Sequence, residues 1–205
     1  MKNIELDFCF KGDRQYVHGT DMLNKCVDYL LEACGNRLEN FQFVIHRMTD
    51  RNLSLTFHQT SAHSERPEYI VAGVSFSVAG QAWVGYLTEG LEQPVCRYPY
   101  DEDAVVDLCS VDKDRRRVEL MADAAFSDIE TLVAMTKALH LKVFHDFTGK
   151  WVFSGWDSPR WPLGEGIQGV CIQLIQNLGT RLTKSEVTIA GKVLGHIYFS
   201  GKAEQ

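Results

Sequence analysis

Apolar residues between positions 16 and 34 recur at the three- and four-residue spacing of a helix. They are Met22, Leu23, Cys26, Leu30 and Ala33. This spacing predicts one long helix with a broad buried side. Thr20 or Asp21 is expected to cap its start, because a short oxygen side chain there accepts from backbone N–H groups that lack a partner inside the helix. Gly35-Asn36 is expected to end it.

Alternation of apolar and polar residues predicts strands on both sides of this helix and again in the second half. The predicted strands of the first half are 3–10, 41–46, 52–59, 69–78 and 81–88. Those of the second half are 117–122, 151–156, 169–176, 181–189 and 192–200. Ser127 and Glu130 have the spacing of a capping box, which predicts a second helix running to about His145.

The two halves repeat the same order of elements at a nearly constant spacing. Phe41 corresponds to Trp151 at an offset of 110 residues, and the predicted hairpin turns Ala79-Gly80 and Ala190-Gly191 differ by 111. Any two α+β domains share some pattern, but a constant offset between like elements predicts an internal duplication.

This repeat predicts two units, residues 1–90 and 112–205, joined by a linker at 91–111. The linker region contains two prolines and the acidic cluster 101–103, which is typical of a crossing segment. A short strand is predicted within it at 104–109.

Composition and charge narrow the possible partners. The chain of 205 residues carries a formal net charge of −6, so nucleic acid is not an expected partner, because phosphate binding needs a basic surface. No apolar run approaches the roughly 20 residues of a membrane-spanning helix, so no membrane span is expected. The N-terminus MKNIELDFCFKGD has acidic residues where a signal peptide has its apolar core, which predicts a cytoplasmic protein.

The cysteines are spread over the chain without a CxxC pair, so no metal site is expected. They are Cys9, Cys26, Cys34, Cys96, Cys109 and Cys171. In the reducing compartment predicted above, we expect them to be reduced, small core residues rather than disulfide partners.

The order of elements in each half, a strand, one long buried helix and then several antiparallel strands, resembles the hot-dog fold. The resemblance covers nearly the whole chain and implies a double hot dog. In this α+β fold, each of two tandem units has a long central helix wrapped by a curved antiparallel sheet, and the two sheets join side by side. A homodimer of such chains is a further possibility that the resemblance raises.

Hot-dog proteins mostly act on acyl thioesters of coenzyme A or acyl carrier protein, as thioesterases or hydroxyacyl dehydratases of fatty acid or polyketide metabolism. The resemblance therefore implies an acyl-CoA or an acyl carrier protein as partner. The acyl chain would bind between the two units, near the start of a central helix. Coenzyme A or phosphopantetheine would be part of the substrate, so no separate cofactor is expected.

The residues before and within the first helix, YVHGTDMLN at 16–24, lack the HFPG-type loop of the dehydratases. They look more like the corresponding start in long-chain acyl-CoA thioesterases of mycobacterial type, where an asparagine on the helix is functional. By that resemblance Asn24 takes this role. His18 is a candidate to accept a proton from water or to donate to the thioester carbonyl, and Asp21 is a candidate base. The alternative for Asn24 is a structural hydrogen bond, and the alternative for His18 is an exposed loop residue. For Asp21 it is an acidic residue that interacts with the helix dipole.

Further residues are candidates to bind substrate. Gly19 allows close backbone approach, and its own N–H or the next one is a candidate oxyanion donor. Tyr16 and Thr20 lie in the same stretch. In the second half, Trp156 and Trp161 are expected to form an aromatic loop that either caps a hydrophobic ligand or packs on the sheet.

The two helix starts are not equivalent, because Asp128 stands at the position of His18 and Ala134 at that of Asn24. A thioesterase using His18 and Asn24 is the leading hypothesis. A dehydratase in which His18 removes the α-proton and Asp128 protonates the leaving hydroxyl is the alternative within the same fold. A non-catalytic acyl-binding or assembly module is the alternative of another class.

Overall fold

The computed structural model describes residues 2–35, 37–60, 66–164 and 166–203. These residues form two compact units. The first comprises the chain up to Tyr100 together with Pro159–Pro162, and the second comprises Asp101–Ser158 together with the chain from Leu163 onward. The boundary after Tyr100 falls inside the segment 91–111 that was predicted to be a linker.

The first unit contains one long helix and an antiparallel sheet. Its elements are β1 (Lys2–Leu6), β2 (Cys9–Lys11), α1 (Gly19–Cys34), β3 (Leu38–Ile45), β4 (Leu53–Gln59), β5 (Ile70–Val78), β6 (Gln81–Glu89) and β7 (Cys96–Tyr98). The sheet has the strand order β1-β4-β6-β5-β3, with antiparallel neighbours throughout. Strands β2 and β7 form a separate parallel pair.

The second unit is built on the same plan. Its elements are α2 (Asp103–Val106), β8 (Cys109–Asp112), β9 (Arg117–Leu120), α3 (Asp128–Val143), β10 (Lys150–Trp161), β11 (Val170–Leu178), β12 (Leu182–Ile189) and β13 (Lys192–Lys202). The last three residues of β10 belong to the first unit. The strand order is β10-β13-β12-β11-β9-β8, again antiparallel.

The two units differ in how three corresponding strands, β4–β6 and β11–β13, are ordered. In the first unit β6 lies between β4 and β5, whereas in the second unit β12 lies between β11 and β13. A short turn joins β11 to β12, so these two strands pair directly as a hairpin. The longer connection from β4 to β5 allows β5 to pair with β3 instead. The predicted repeat therefore holds for the order of elements along the chain but not for every strand pairing.

Helix α1 buries the side that the spacing predicted. Met22, Leu23, Cys26 and Leu30 are buried, but Ala33 in the last turn is exposed, so its predicted burial is wrong. Gly35 ends the helix with a φ of 109°, as predicted, and Asn36 lies outside the described residues.

The predicted cap at Thr20 or Asp21 is wrong. The N-cap is His18, whose carbonyl accepts from the N–H groups of Asp21 and Met22 at 3.0 and 3.1 Å. The helix therefore starts earlier, and the side chains of Thr20 and Asp21 bind other side chains rather than the helix end.

Two strand predictions are also corrected. The strand predicted at 3–10 divides into β1 and β2, because the Phe8 N–H donates to Asn52 Oδ1 at 2.8 Å instead of joining a ladder. The strand predicted at 104–109 is replaced by the short helix α2, which begins where the Ala104 N–H donates to Asp101 Oδ1 at 3.2 Å.

Other local predictions are confirmed. Ser127 and Glu130 form both bonds of the capping box at the start of α3. The turns Ala79-Gly80 and Ala190-Gly191 have nearly equal φ values, 49° and 78° in the first and 47° and 77° in the second. Such left-handed pairs suit tight hairpin turns between antiparallel strands.

The expectation that all cysteines are reduced is wrong for one pair. Cys9 and Cys96 form a disulfide that joins β2 to β7, whereas Cys26, Cys34, Cys109 and Cys171 are free. The two partners lie 87 residues apart in sequence, so no local pattern indicates their pairing. Burial raises the pKa of the Cys26 thiol to about 12, which keeps this thiol protonated and inert.

Two further properties concern the described residues as a set. Their helices are all too short or too polar to cross a membrane. The same residues contain no cluster of three or more His, Cys, Asp or Glu side chains suited to hold a metal ion.

His140 lies in the core of the second unit, on α3. It is fully buried, its ring stacks on that of Trp151 at a centroid distance of 4.5 Å, and neither ring nitrogen has a partner among the described residues. Burial lowers the pKa of His140 from 6.5 to about 3, because the charged imidazolium is disfavoured away from water. The folded protein therefore keeps His140 neutral at pH values where the unfolded chain protonates it.

Acidification is expected to destabilise the protein through His140. The lowered pKa means that stability is lost as the pH falls below 6.5, until the folded-state value near 3 is reached. Between pH 7 and pH 5 the loss is about 2 kcal/mol in the free energy of unfolding. Urea unfolding at both pH values should show this loss in the wild type and a smaller one in His140→Phe. The exposed His145→Phe is the control and should behave like the wild type; equal losses in all three proteins would contradict the prediction.

Candidate functional site at the start of helix α1

Two short strands bring distant parts of the first unit to the start of α1. Strands β2 and β7 pair in parallel with Cys9 opposite Cys96 and Lys11 opposite Tyr98. The disulfide joins the first of these pairs, and the Gly12 N–H donates to the Tyr98 carbonyl at 3.0 Å beyond the second. Lys11 and Tyr98 are thereby held side by side.

Lys11 and Tyr98 both bind Asp21 in the first turn of α1. The Lys11 ammonium Nζ donates to Asp21 Oδ1 at 2.8 Å, and the Tyr98 hydroxyl donates to Asp21 Oδ2 at 2.9 Å. A carboxylate is also favoured here by the positive end of the helix dipole. Both oxygens of Asp21 are therefore engaged, which fixes the carboxylate as a counter-charge to Lys11.

The Lys11 side chain is fully buried, which is rare for a lysine. Its ammonium lies 4.5 Å from the centre of the Tyr100 ring and 5.6 Å from that of Tyr98. Contacts with aromatic faces and an ion pair with Asp21 offset the desolvation of the charge. The buried ammonium of Lys11 is therefore held by several contacts from the chain and places a fixed positive charge at the start of α1.

The same ammonium connects to His18 through Thr20. Lys11 Nζ lies 3.3 Å from Thr20 Oγ1, and His18 Nδ1 lies 2.7 Å from the same oxygen. Thr20 is fully buried and His18 is 8% exposed. We call Lys11, His18, Thr20, Asp21 and Tyr98 the α1-start cluster.

Aromatic rings flank His18 within this cluster. The Tyr16 ring is stacked with it at a centroid distance of 6.5 Å, and the Tyr100 ring lies at 6.0 Å. These rings restrict the orientation of the imidazole and reduce its contact with water. His18 is thus a nearly buried, oriented imidazole at the end of a helix.

Backbone N–H groups complete the arrangement. Gly19 and Thr20 are the first two residues of α1, and N–H groups in the first turn have no acceptor inside the helix. Together with the helix dipole they favour binding of an oxygen that carries negative charge. The start of α1 can therefore offer both backbone N–H groups and an imidazole to a carbonyl oxygen.

Most residues predicted for the first helix start lie together. Tyr16, His18, Gly19, Thr20 and Asp21 are within or beside the α1-start cluster. Asn24 lies four residues after Thr20, on the same side of the helix. It is half-buried and has an interaction partner of its own.

The second-unit candidates have different surroundings. Asp128 is the first residue of α3, directly after the capping Ser127, and burial raises the pKa of its carboxyl group. Trp156 is fully buried on β10, and its indole N–H donates to Ser158 Oγ at 3.0 Å.

The aromatic loop predicted to contain Trp156 and Trp161 is wrong, because β10 continues as a strand through Trp161. The Trp161 ring is 6% exposed and lies 5.7 Å from the Phe41 ring within the first unit. Of the two predicted arrangements for these tryptophans, packing on the sheet agrees better with their surroundings than a loop that covers a ligand.

Lys11, Tyr98 and Tyr100 were not predicted as site residues. The tyrosines lie in the segment predicted as a linker, and Lys11 follows a strand. One signal was available: a cysteine precedes Lys11 and Tyr98 by two residues each. Pairing Cys9 with Cys96 would have placed these two side chains next to each other.

Comparison with solved structures shows similarity over nearly the whole chain. The tesB protein of Mycobacterium avium subsp. paratuberculosis is 10% identical, with a TM-score of 0.50 over 95% of this chain and 89% of that one. A putative thioesterase II from Thermobifida fusca is 9% identical, with a TM-score of 0.49 over 98% and 91% of the two chains. A dehydratase domain of a mycocerosic acid synthase-like polyketide synthase is 12% identical, with a TM-score of 0.47 over 92% and 83%.

The similarity to the tesB protein confirms the resemblance to the hot-dog fold that the order of elements predicted. At 10% identity the similarity concerns the fold alone. No protein-family model matches the sequence, and no curated protein matches it either. The function must therefore be argued from the residues of the site.

Proposed function

We propose that this protein hydrolyses an acyl thioester at the start of α1, with coenzyme A or the phosphopantetheine arm of a carrier protein as the thiol. We also infer that each unit is one hot-dog unit, with α1 and α3 as the central helices, so that the chain is a double hot dog. The observation that carries the proposed activity is the α1-start cluster. It places a nearly buried imidazole beside first-turn N–H groups.

Thioester hydrolysis needs stabilisation of the negative charge that develops on the carbonyl oxygen. Water attacks the carbonyl carbon and the carbon–sulfur bond breaks. One proton of the water passes to the leaving sulfur and the other is released to solvent, so the products are a thiol and a carboxylate. The first-turn N–H groups of Gly19 and Thr20 suit the carbonyl oxygen, since they combine hydrogen bonding with the positive helix end. Asn24 is proposed to position the attacking water, and His18 to bind the carbonyl or activate that water.

Incubation with a series of acyl-CoA substrates, with free thiol as the readout, tests this proposal. Thiol release at enzymatic rates supports it. Binding of acyl-CoA without turnover would instead support an acyl-binding module, and the absence of both would remove the acyl-thioester proposal.

Dehydration of a 3-hydroxyacyl thioester is the second candidate. It is favoured by the partial burial of Asp128, which raises the pKa of its carboxyl group and so favours the protonated form that can donate to a leaving hydroxyl. Incubation with 3-hydroxyacyl-CoA distinguishes the two reactions. Dehydration produces enoyl absorbance without thiol release, whereas hydrolysis releases thiol without enoyl absorbance.

Replacing His18 by alanine is expected to lower kcat/KM for the best acyl-CoA substrate by about 100-fold or more, the usual contribution of a positioned acid, base or donor. The exposed His145 supplies the control, and His145→Ala should retain wild-type kinetics. A folded His18→Ala protein with unchanged kcat/KM would show that His18 takes no part in the reaction.

A further inference from the structure

The hydrogen bonds of Thr20 determine which nitrogen of His18 carries the proton. Lys11 Nζ is an ammonium group and can only donate, so Thr20 Oγ1 accepts in the 3.3 Å contact between them. The hydroxyl then has one proton left to donate. His18 Nδ1 lies 2.7 Å from the same oxygen and is able to accept this proton in a hydrogen bond.

The opposite assignment leaves a buried donor without an acceptor. If His18 Nδ1–H donated to Thr20, the hydroxyl would accept two hydrogen bonds and its own proton would need another partner. Among the described residues, Lys11 and His18 are the hydrogen-bond partners of Thr20, which is fully buried. An unsatisfied buried donor costs free energy, so the arrangement in which Thr20 donates to Nδ1 is favoured.

The Lys11 charge also disfavours protonation of the imidazole on both nitrogens. A doubly protonated His18 would carry a positive charge joined to the Lys11 ammonium through a single oxygen, at the positive end of α1. Repulsion in a nearly buried site is stronger than in water. Neutral His18 with its proton on Nε2 therefore agrees with both the hydrogen-bond count and the local charge.

We propose that Lys11, acting through Thr20, holds His18 in the neutral tautomer with the proton on Nε2, so that His18 serves as a hydrogen-bond donor rather than as a base. The catalytic part rests on the proposed function. In thioester hydrolysis, the Nε2–H would donate to the carbonyl oxygen as negative charge develops on it. Lys11 and Thr20 are positioning residues in this scheme, and Asp21 and Tyr98 hold Lys11 in place.

A histidine can act either as a hydrogen-bond donor or as a base, and the tautomer decides which role His18 can take. A histidine protonated on Nε2 cannot take a proton at that nitrogen, and Nδ1 is occupied by the Thr20 hydroxyl. Removal of an α-proton, the role expected of a histidine in a dehydratase, is therefore incompatible with this tautomer. The proposal favours hydrolysis over dehydration at this site.

Nitrogen-15 NMR of histidine-labelled protein tests the tautomer without any substrate. The wild type is expected to show His18 with Nε2 protonated and Nδ1 not. In Thr20→Val, which removes the hydroxyl, we expect a detectable population of the other tautomer or of the doubly protonated ring at the same pH. Thr20→Ser retains the hydroxyl and should resemble the wild type.

Control variants keep this test decisive. Thr136→Val removes another buried helix threonine, one that donates to the Leu132 carbonyl, and should leave His18 unchanged. Lys11→Met is the complementary variant, used where its spectrum shows a folded protein. The proposal is overturned if wild-type His18 carries its proton on Nδ1, or if folded Thr20→Val has the same tautomer as the wild type without any second population.

Kinetics supply an independent readout of the same proposal. With an acyl-CoA substrate, Thr20→Val should lower kcat at least tenfold with KM changed less than threefold, and Thr20→Ser should restore most of kcat. Full activity of a folded Thr20→Val protein would refute the positioning role. Absence of thioester turnover in the wild type would refute the proposed function, while the NMR result would still decide the tautomer.

Discussion

Replacing Cys9 and Cys96 together by serine is expected to lower the free energy of unfolding of the first unit by about 2–4 kcal/mol. The two cysteines lie 87 residues apart in sequence, and a cross-link over so long a segment removes many conformations from the unfolded chain. The effect should be large because the strands it joins are only three residues each.

Urea unfolding of the double variant, compared with the wild type in the presence and absence of a dithiol, measures this effect. The reduced wild type should approach the double variant, and the variant itself should not respond to the dithiol. Cys34→Ser/Cys171→Ser removes two free cysteines and is the matched control, expected to change stability by less than about 1 kcal/mol. A folded Cys9→Ser/Cys96→Ser protein as stable as the wild type would contradict the prediction.

Hydrogen exchange links the disulfide to the site. Loss of the bridge is expected to raise amide exchange in β2 and β7 and in the first turn of α1, because these strands hold Lys11 and Tyr98 against Asp21. Exchange in the second unit's strands should remain unchanged.

The second large effect is expected for Asp21→Asn, which should lower the free energy of unfolding by about 3 kcal/mol. The substitution removes the carboxylate that pairs with the fully buried Lys11 ammonium at 2.8 Å. Removing one partner of a buried pair leaves a desolvated charge behind, which costs more than the pair itself contributes. The Asp21 side chain is 13% exposed, so water compensates only a small part of this loss.

Chemical unfolding of three variants tests the origin of this effect. Asp28→Asn changes an exposed aspartate of the same helix and should shift stability by about 0.5 kcal/mol at most. Lys11→Met/Asp21→Asn removes both charges and should be less destabilised than the sum of the single variants. A loss below about 1 kcal/mol in Asp21→Asn would mean that the Lys11–Asp21 pair is not an important part of the folded state.

Local patterns predicted much of the fold because they depend on residues close together in sequence. The apolar spacing of α1 follows from helix geometry alone, and the capping box of α3 follows from two side chains three residues apart. The turns at Ala79-Gly80 and Ala190-Gly191 follow from a short connection between alternating segments. The order of these elements was sufficient to identify the hot-dog resemblance.

Predictions that depended on which side chain meets which were less reliable. Thr20 was predicted to cap α1, but its hydroxyl binds Lys11 and His18 instead. The end of the predicted first strand separated as β2, since it pairs with β7 rather than continuing β1. In both cases a contact with a distant segment competed successfully with the local preference.

The sequence by itself determined the two long helices α1 and α3, most strands, the near-repeat of two units and the stretch that contains His18. Only the tertiary structure revealed that Lys11 and Tyr98 belong to the same site, because their pairing joins residues 9–11 to residues 96–98. The spacing of apolar residues predicts which side of a helix or strand is buried. It does not predict which distant segment packs there, and here that segment lies nearly ninety residues away. For that reason the contacts around His18, on which the proposed chemistry depends, could be read only from the tertiary structure.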